Sequence, residues 1–293
     1  MTARTRMAQW SEARLRGALE RISDGTVIVT EYPAAARPRW GWDRPPHPTL
    51  HARFTAERER YRRVLQDSAE HLDALRAILH QSDSNGAPAW SNDFFGGLDA
   101  VALYHFLVAR RPARYVEVGS GHSTRFARRA ISDAGLVTTI TSIDPAPRTG
   151  IEGLCDTVHR GGLQDAPLEL FGELEAGDVV LVDGSHVAHM SSDVTVLFTE
   201  VLPNLAPGVL VGIDDVFLPW DYPATWAGRW YAEQYLLAVL LLSGGPTWQV
   251  VLPGWWVSND GALADEVGRF ADPACTPAGT VGVTFWMGRQ GRA

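Results

Sequence analysis

The sequence predicts an α/β protein: a doubly wound, mostly parallel sheet with a terminal antiparallel strand, preceded by an N-terminal extension. Three observations carry this. From residue 98 onward, short apolar runs alternate with segments of helical period. The runs 115–118, 179–182 and 209–213 are almost wholly apolar, as in strands buried on both faces. The last two strand candidates, 248–252 and 281–287, have no long helical pattern between them, so they are expected to pair antiparallel.

The elements follow in order. Residues 26–30 (TVIVT) form a short strand candidate. Pro33, Pro38, Pro45, Pro46 and Pro48 then make the chain extended or coiled, since proline fixes φ and removes a donor. Trp40 and Trp42 suggest that this stretch packs down. Residues 51–80 repeat Phe54, Tyr61, Val64, Leu65, Leu72, Leu75 and Ile78 at helical spacing, and 81–92 break the pattern. These residues, 1–92, are read as an extension and possible lid or oligomer contact, and 93–293 as the main domain. Within the domain, helices are expected at 98–110, 123–134, 150–156, 191–202 and 226–243. Further strands are expected at 137–143 and 157–160.

Composition narrows the function. The 293 residues are 45% apolar and 20% charged, the make-up of a globular chain. All 26 basic residues are arginine, so a lysine Schiff base, a lysine general base and a Walker P-loop are excluded. The net charge of −8 argues against nucleic acid as a partner. Cys155 and Cys275 show no metal spacing and read as unpaired thiols of a cytoplasmic protein. The charged first residues predict no signal peptide, and the run 236–242 is far short of the ~20 residues that span a bilayer. The expected partner is a small molecule, and a homo-oligomer is compatible with the sequence.

The chemistry gathers at strand ends. In YVEVGSGHST, a buried strand runs into Gly119, Ser120 and Gly121 and then into a helix start. Glycines let backbone approach a ligand, and ligands of open α/β sheets lie beyond the carboxyl ends of the strands. Glu117 would repel a pyrophosphate and attract an ammonium, which favours S-adenosylmethionine over NAD. Asp144 ends the next strand, at a spacing that suits a ribose diol, and Gln164 follows the third strand, where an amide can read an adenine edge. Asp183 ends the fourth strand, and Asp214 and Asp215 the fifth. Adjacent strands lie ~4.8 Å apart, so these carboxylates would converge on a hard divalent cation, Mg²⁺ or a similar ion. The alternative is that one acid only caps a helix. His186 and His189 are a weak signal for a softer metal, and Asp193 reads as a solvated helix residue. The aromatic segment Phe217, Trp220, Tyr222, Trp226, Trp230 and Tyr231 could wall an acceptor pocket or fasten the extension. Arg229 and Glu233 stand four apart, as a helix-surface pair would.

Glu117-Val-Gly-Ser-Gly, Asp144, Gln164, Asp183 and Asp214-Asp215, in this order and spacing, resemble the class I S-adenosylmethionine-dependent methyltransferases over about residues 95–290. The segment from DGSH to FLPWDYP resembles a bacterial branch of methyltransferase-like proteins. The resemblance implies a Rossmann-like fold. Glu117, Gly119, Ser120, Gly121, Asp144, Gln164 and Asp183 then become cofactor-binding. The acids are similar to those of metal-dependent catechol-type O-methyltransferases, with an Asp-Asp pair here in place of an acid and an amide. His186 stands where that group has its lysine base. The implied activity is O-methylation of a small-molecule hydroxyl, with Asp183, Asp214 and Asp215 on the metal and His186 with Asp183 catalytic. The rival readings are a metal-dependent hydroxylase-like enzyme, a non-methyl transfer on the same fold, and a cofactor-binding protein without turnover.

Overall fold

A computed structural model describes residues 35–81, 86–147, 150, 151, 153–243, 247–271 and 281–291. The chain divides into two units, 1–37 and 38–293. The expected strand at 26–30 lies outside the described residues, as does Cys275. The second unit contains three short helices, α1 (Pro48–Ala56), α2 (Arg58–Ser68) and α3 (Leu72–Arg76), and then the sheet and its helices. These are α4 (Gly97–Arg110), β1 (Arg114–Val118), α5 (His122–Asp133), β2 (Thr139–Ile143), β3 (Thr157–His159), α6 (Glu169–Gly172), β4 (Val179–Val182), α7 (Asp193–Val196), β5 (Leu210–Ile213), α8 (Glu233–Ser243), β6 (Trp248–Pro253), α9 (Gly254–Asn259), α10 (Ala264–Gly268) and β7 (Phe285–Arg289).

The sheet order is β3-β2-β1-β4-β5-β7-β6. β3, β2, β1, β4 and β5 are parallel, and β7 lies antiparallel between β5 and β6. The predicted mixed sheet and terminal antiparallel pair are both present. Every residue of β4 and β5 is buried, which is why these strands read as unbroken apolar runs. β7 fits beside β5 because Gly212 faces Trp286, and a Cβ there would stand 2.8 Å from the indole ring. The chain leaves β1 to one side and returns as β4 on the other, so the crevice for a ligand opens above β1 and β4.

Residues within 38–81 and 86–92 share the core of this unit. Leu50, Phe54, Tyr61 and Leu65 are buried, Phe54 packs on Phe285 and Trp256, and Tyr61 packs on Trp256. Trp42 packs on Phe217, Trp220 and Trp255, and the Trp40 amide donates to Asp221 Oδ2 at 2.9 Å.

Several boundaries differ from those expected. The strand expected from 281 starts at Phe285, because the amides of Val283 and Thr284 donate to the carboxylate of Asp99 on α4 and are lost to the ladder. Val137 is almost fully exposed in the loop before β2. The helix expected at 150–156 is absent among the described residues, which form turns there. Residues 191–202 form a short α-turn capped by Ser192, a π-turn over Leu197–Val201 and a 3-10 turn over Leu202–Asn204, where Pro203 stops helix growth. The helix expected over 226–243 is broken at Trp230 (φ 57°), and α8 starts afresh at Glu233. The carbonyl of His186 accepts the amides of Ala232 (2.8 Å) and Glu233 (3.3 Å) at that start.

Candidate active site

A cavity of about 410 Å³ opens at the carboxyl ends of β1, β2 and β4. That volume lies in the range of roughly 300–1,000 Å³ common for small-molecule sites. Its wall includes Gly119, Ser120, Gly121, Asp144, Gln164 and Asp183, so six of the predicted cofactor residues meet there.

Gly119 holds the floor in place. Its φ is +79°, and a Cβ would fall 1.8 Å from the carbonyl oxygen of Asp183. The amide of Gly119 donates to Ile143 O (3.0 Å) and that of Asp183 to Val118 O (2.8 Å), so the loop threads between β2 and β4. Asp144 fastens the same loop from the side. Its Oδ2 accepts the Ser120 amide at 2.6 Å and its Oδ1 the Ala146 amide at 2.7 Å. Each of these oxygens keeps a lone pair for a ligand hydroxyl.

Glu117 does not reach the wall. It is fully buried beneath the loop, where Tyr115 Oη donates to its Oε1 at 3.0 Å and Thr124 Oγ1 donates to its Oε2. Burial pushes its carboxyl up to about 7, against the opposing hydrogen bonds of Ser123, Thr124 and Tyr115. The acid expected to face a ligand instead ties β1 to the first turn of α5. That turn also receives the Gly121 amide on Thr124 Oγ1 at 3.0 Å.

The acids of β4 and β5 meet a histidine rather than an open gap. His186 is buried with φ +60°. Its Nε2 lies 3.2 Å from Asp183 Oδ1 and 3.6 Å from Asp215 Oδ2, and its Nδ1 lies 2.9 Å from Glu233 Oε2. Burial alone would lower its pKa. The hydrogen bonds to Asp183 and Glu233, with the charges of both, outweigh that and hold it well above the ordinary imidazole value. Asp214 Oδ1 accepts the Thr284 hydroxyl at 2.6 Å. Burial first, then the charges of Asp183, Asp99 and Asp215, raises its carboxyl well above the usual range.

Two expectations concern this cluster. His186, expected as a general base, has a carboxylate facing each ring nitrogen. The divalent metal expected on Asp183, Asp214 and Asp215 finds no support among the described residues. His186 Nε2 lies near both Asp183 and Asp215, Asp214 Oδ1 takes the Thr284 hydroxyl, and the described residues hold no group of three or more His, Cys, Asp or Glu arranged for a metal ion.

Other residues were not foreseen. Glu233 is buried, and Arg229 lies over the rings of Trp226 (3.9 Å to the centroid) and Tyr231 instead of pairing with it. The signal was present, because Glu233 shares a buried helix stripe with Leu237 and Leu241 at four-residue spacing. Asp193 lines the cavity and accepts the Ser185 amide at 2.6 Å, so it anchors the loop after β4 rather than facing solvent. Phe94 and Phe95 also line the wall, with Phe94 stacked on His122. Of the aromatic segment, Tyr231 packs on His186 with ring centroids 4.6 Å apart. Tyr222, Trp226 and Phe217 continue from it in mutual contact.

Residues 116–216 match the family described as "Methyltransferase domain". The match spans the glycine loop and strands β2 to β5. Among solved structures, an O-methyltransferase from Bacillus cereus in complex with SAH is 15% identical, with a TM-score of 0.38, over 78% of this chain and 90% of its own. The SAH-bound methyltransferase PaMTH1 of Podospora anserina is 16% identical, with a TM-score of 0.41, over 86% of this chain and all of its own. The plantazolicin methyltransferase BpumL in complex with SAH is 11% identical, with a TM-score of 0.37, over 64% and 85%. A search of curated proteins finds no match. No described helix is long and apolar enough to cross a membrane.

Proposed function

We propose that the protein is an O-methyltransferase that transfers the methyl group of S-adenosylmethionine to a small-molecule hydroxyl. The observation that carries this reading is the cavity itself. A glycine loop, a strand-end carboxylate and an amide converge on one pocket, and Asp183 leads from that pocket to the His186 cluster. These groups suit a nucleoside carrying a diol and a charged amino-acid tail. Asp144 would accept from the ribose hydroxyls while it holds the Ser120 amide in place. Gln164 would meet the adenine edge. The backbone of Ser120 and Gly121 would pass close to the amino-acid tail.

When bound, S-adenosylmethionine offers a methyl group on a sulfonium that an acceptor oxygen can displace in line. The C–S bond breaks toward sulfur, an O–C bond forms, and the acceptor releases one proton. Asp183 is the member of the acid cluster that lines the cavity, and it is the residue proposed to take that proton. His186 backs it through the 3.2 Å contact and compensates its charge. The rings of Tyr231, Trp226 and Tyr222 extend from His186 and would shape the acceptor side.

Calorimetry with S-adenosylhomocysteine tests the first half. The parent should bind, and Asp144→Ala should bind about 10- to 100-fold more weakly, the loss expected for hydrogen bonds to a charged acceptor. A parent that does not bind would overturn the reading. Incubation with methyl-labelled cofactor and a metabolite extract tests the second half: the label should appear on oxygen in a small product. Label on nitrogen, carbon or protein would reject the proposed acceptor.

A further inference from the structure

The sequence offers Arg229 a partner four residues on, and the fold withholds it. The left-handed turn at Trp230 (φ 57°) separates Arg229 from α8, and Glu233 takes its carboxylate to His186 Nδ1 at 2.9 Å. Arg229 ends the 3-10 turn Ala224–Arg229, is exposed, and makes no hydrogen bond or ion pair with another described residue. Its guanidinium carbon lies 3.9 Å from the Trp226 ring centroid and 5.6 Å from that of Tyr231. A guanidinium held against aromatic rings keeps its N–H donors for oxygen acceptors.

The rings that hold it are themselves held. Trp226 meets Phe217 and Tyr231 edge to face, with centroids 5.2 Å and 5.7 Å apart, and stacks on Tyr222. Tyr231 lies 4.6 Å from the His186 ring, centroid to centroid. His186 Nε2 is 3.2 Å from Asp183, which lines the cavity. A row of rings therefore runs from the acid at the cavity to one cation.

The two ends of this row differ in charge. At the inner end Asp183, Asp215 and Glu233 gather around one imidazole, and an anionic group of an acceptor would meet like charge there. At the outer end it would meet the guanidinium, whose fork matches the two oxygens of a carboxylate. The rings between suit a planar, apolar body. The net charge of −8 gives the chain no general attraction for anions, so a preference for one has to come from a local cation.

We propose that Arg229 is a specificity-determining residue, which binds a carboxylate carried by a planar acceptor at the end away from the hydroxyl that is methylated. The inference rests on the function proposed above.

The test uses the full chain with S-adenosylhomocysteine present. Calorimetry compares para-hydroxybenzoate and para-hydroxycinnamate with their methyl esters, which keep the phenol and the ring and lose the charge. The parent should bind at least one acid about 10-fold or more tightly than its ester, and Arg229→Gln should weaken that acid by about 10- to 100-fold and remove the preference. Arg229→Glu reverses the charge at the same exposed position and should favour the ester, which keeps the test decisive if the glutamine variant does not fold. With labelled cofactor, the acid-to-ester ratio of kcat/KM should fall in Arg229→Gln by the same factor, with the loss appearing in KM. Equal binding of acid and ester by the parent, or binding of neither, would overturn the proposal. So would an acid preference that survives in Arg229→Gln, which would make Arg229 a surface stack only. A parent that fails to bind S-adenosylhomocysteine would defeat the proposed function, and the acid and ester comparison on the cofactor-free chain would then still decide whether Arg229 holds a carboxylate.

Discussion

Gly119→Ala is expected to abolish measurable binding of S-adenosylhomocysteine and to destabilise the fold by several kcal/mol. The new Cβ would sit 1.8 Å from Asp183 O and 2.7 Å from its carbonyl carbon, and both are backbone atoms that cannot rotate aside. The residue would also have to keep φ near +79°, a region that side chains other than glycine's adopt only with strain. Relief requires the ends of β1 and β4 to separate. That breaks the bonds from Gly119 N to Ile143 O and from Asp183 N to Val118 O, and it moves Ser120 and Gly121 off the cavity floor. Overpacking and backbone strain together place the expected loss at about 3–5 kcal/mol. Affinity should fall by more than about 100-fold, the effect of a binding loss above roughly 3 kcal/mol. Gly172→Ala is the control, because nothing lies within 4 Å of a Cβ at that exposed helical position. It should change stability by no more than about 1 kcal/mol, and in the favourable direction. Urea unfolding and calorimetry give both readings. An alanine variant at 119 with parental stability and affinity would show that the loop does not depend on this close approach.

Strand ends were the most legible part of the sequence, and the reason is physical. Wholly apolar runs must be buried on both faces, and a polar residue that closes such a run must emerge at an edge of the sheet. Asp144, Gln164, Asp183 and the glycines could therefore be placed together without knowing any side-chain direction, and they meet in one cavity. Side-chain direction was what the sequence withheld. Glu117 lies two residues before Gly119, yet its carboxylate goes under the loop to Thr124 rather than into the pocket. Asp214 and Asp215 are neighbours, but the left-handed backbone at Asp215 sends one toward His186 and leaves the other with Thr284. Glu233 seemed to belong with Arg229 because a helix was expected to run through both residues. The turn at Trp230 separates them and brings Glu233 to a loop 47 positions earlier in the chain. Long-range hydrogen bonds also reset local boundaries, as when Asp99 takes the amides that would have opened β7. None of these can be read from periodicity, because each depends on which backbone group a distant carboxylate reaches first.

The stability of the protein should carry a component of pH dependence that comes from Glu117 and that Glu117→Gln removes. In the unfolded chain this carboxyl has the ordinary value of 4.5, and in the fold burial lifts it to about 7. Below 4.5 both states are protonated and the group contributes nothing to the slope. As pH rises from 4.5 to 7 the unfolded chain ionises while the folded one keeps its proton, so the folded state binds more protons and stability falls with rising pH. Above 7 both states are ionised, and the full difference has been lost. The difference between 4.5 and about 7 corresponds to about 3 kcal/mol. Asp99, raised to about 6 chiefly by burial, loses stability in the same direction within the same window. That contribution is common to parent and variant and cancels between them. The quantity to measure is therefore the urea-unfolding free energy of Glu117→Gln minus that of the parent, across pH 4.5 to 8. It should rise with pH by about 3 kcal/mol, because glutamine keeps a neutral acceptor for one of Thr124 and Tyr115 and has no proton to lose. A flat difference would mean that Glu117 is ionised throughout in the folded protein. The buried carboxylate would then need a positive partner, and the bound cofactor's ammonium would again be the candidate that the sequence first suggested.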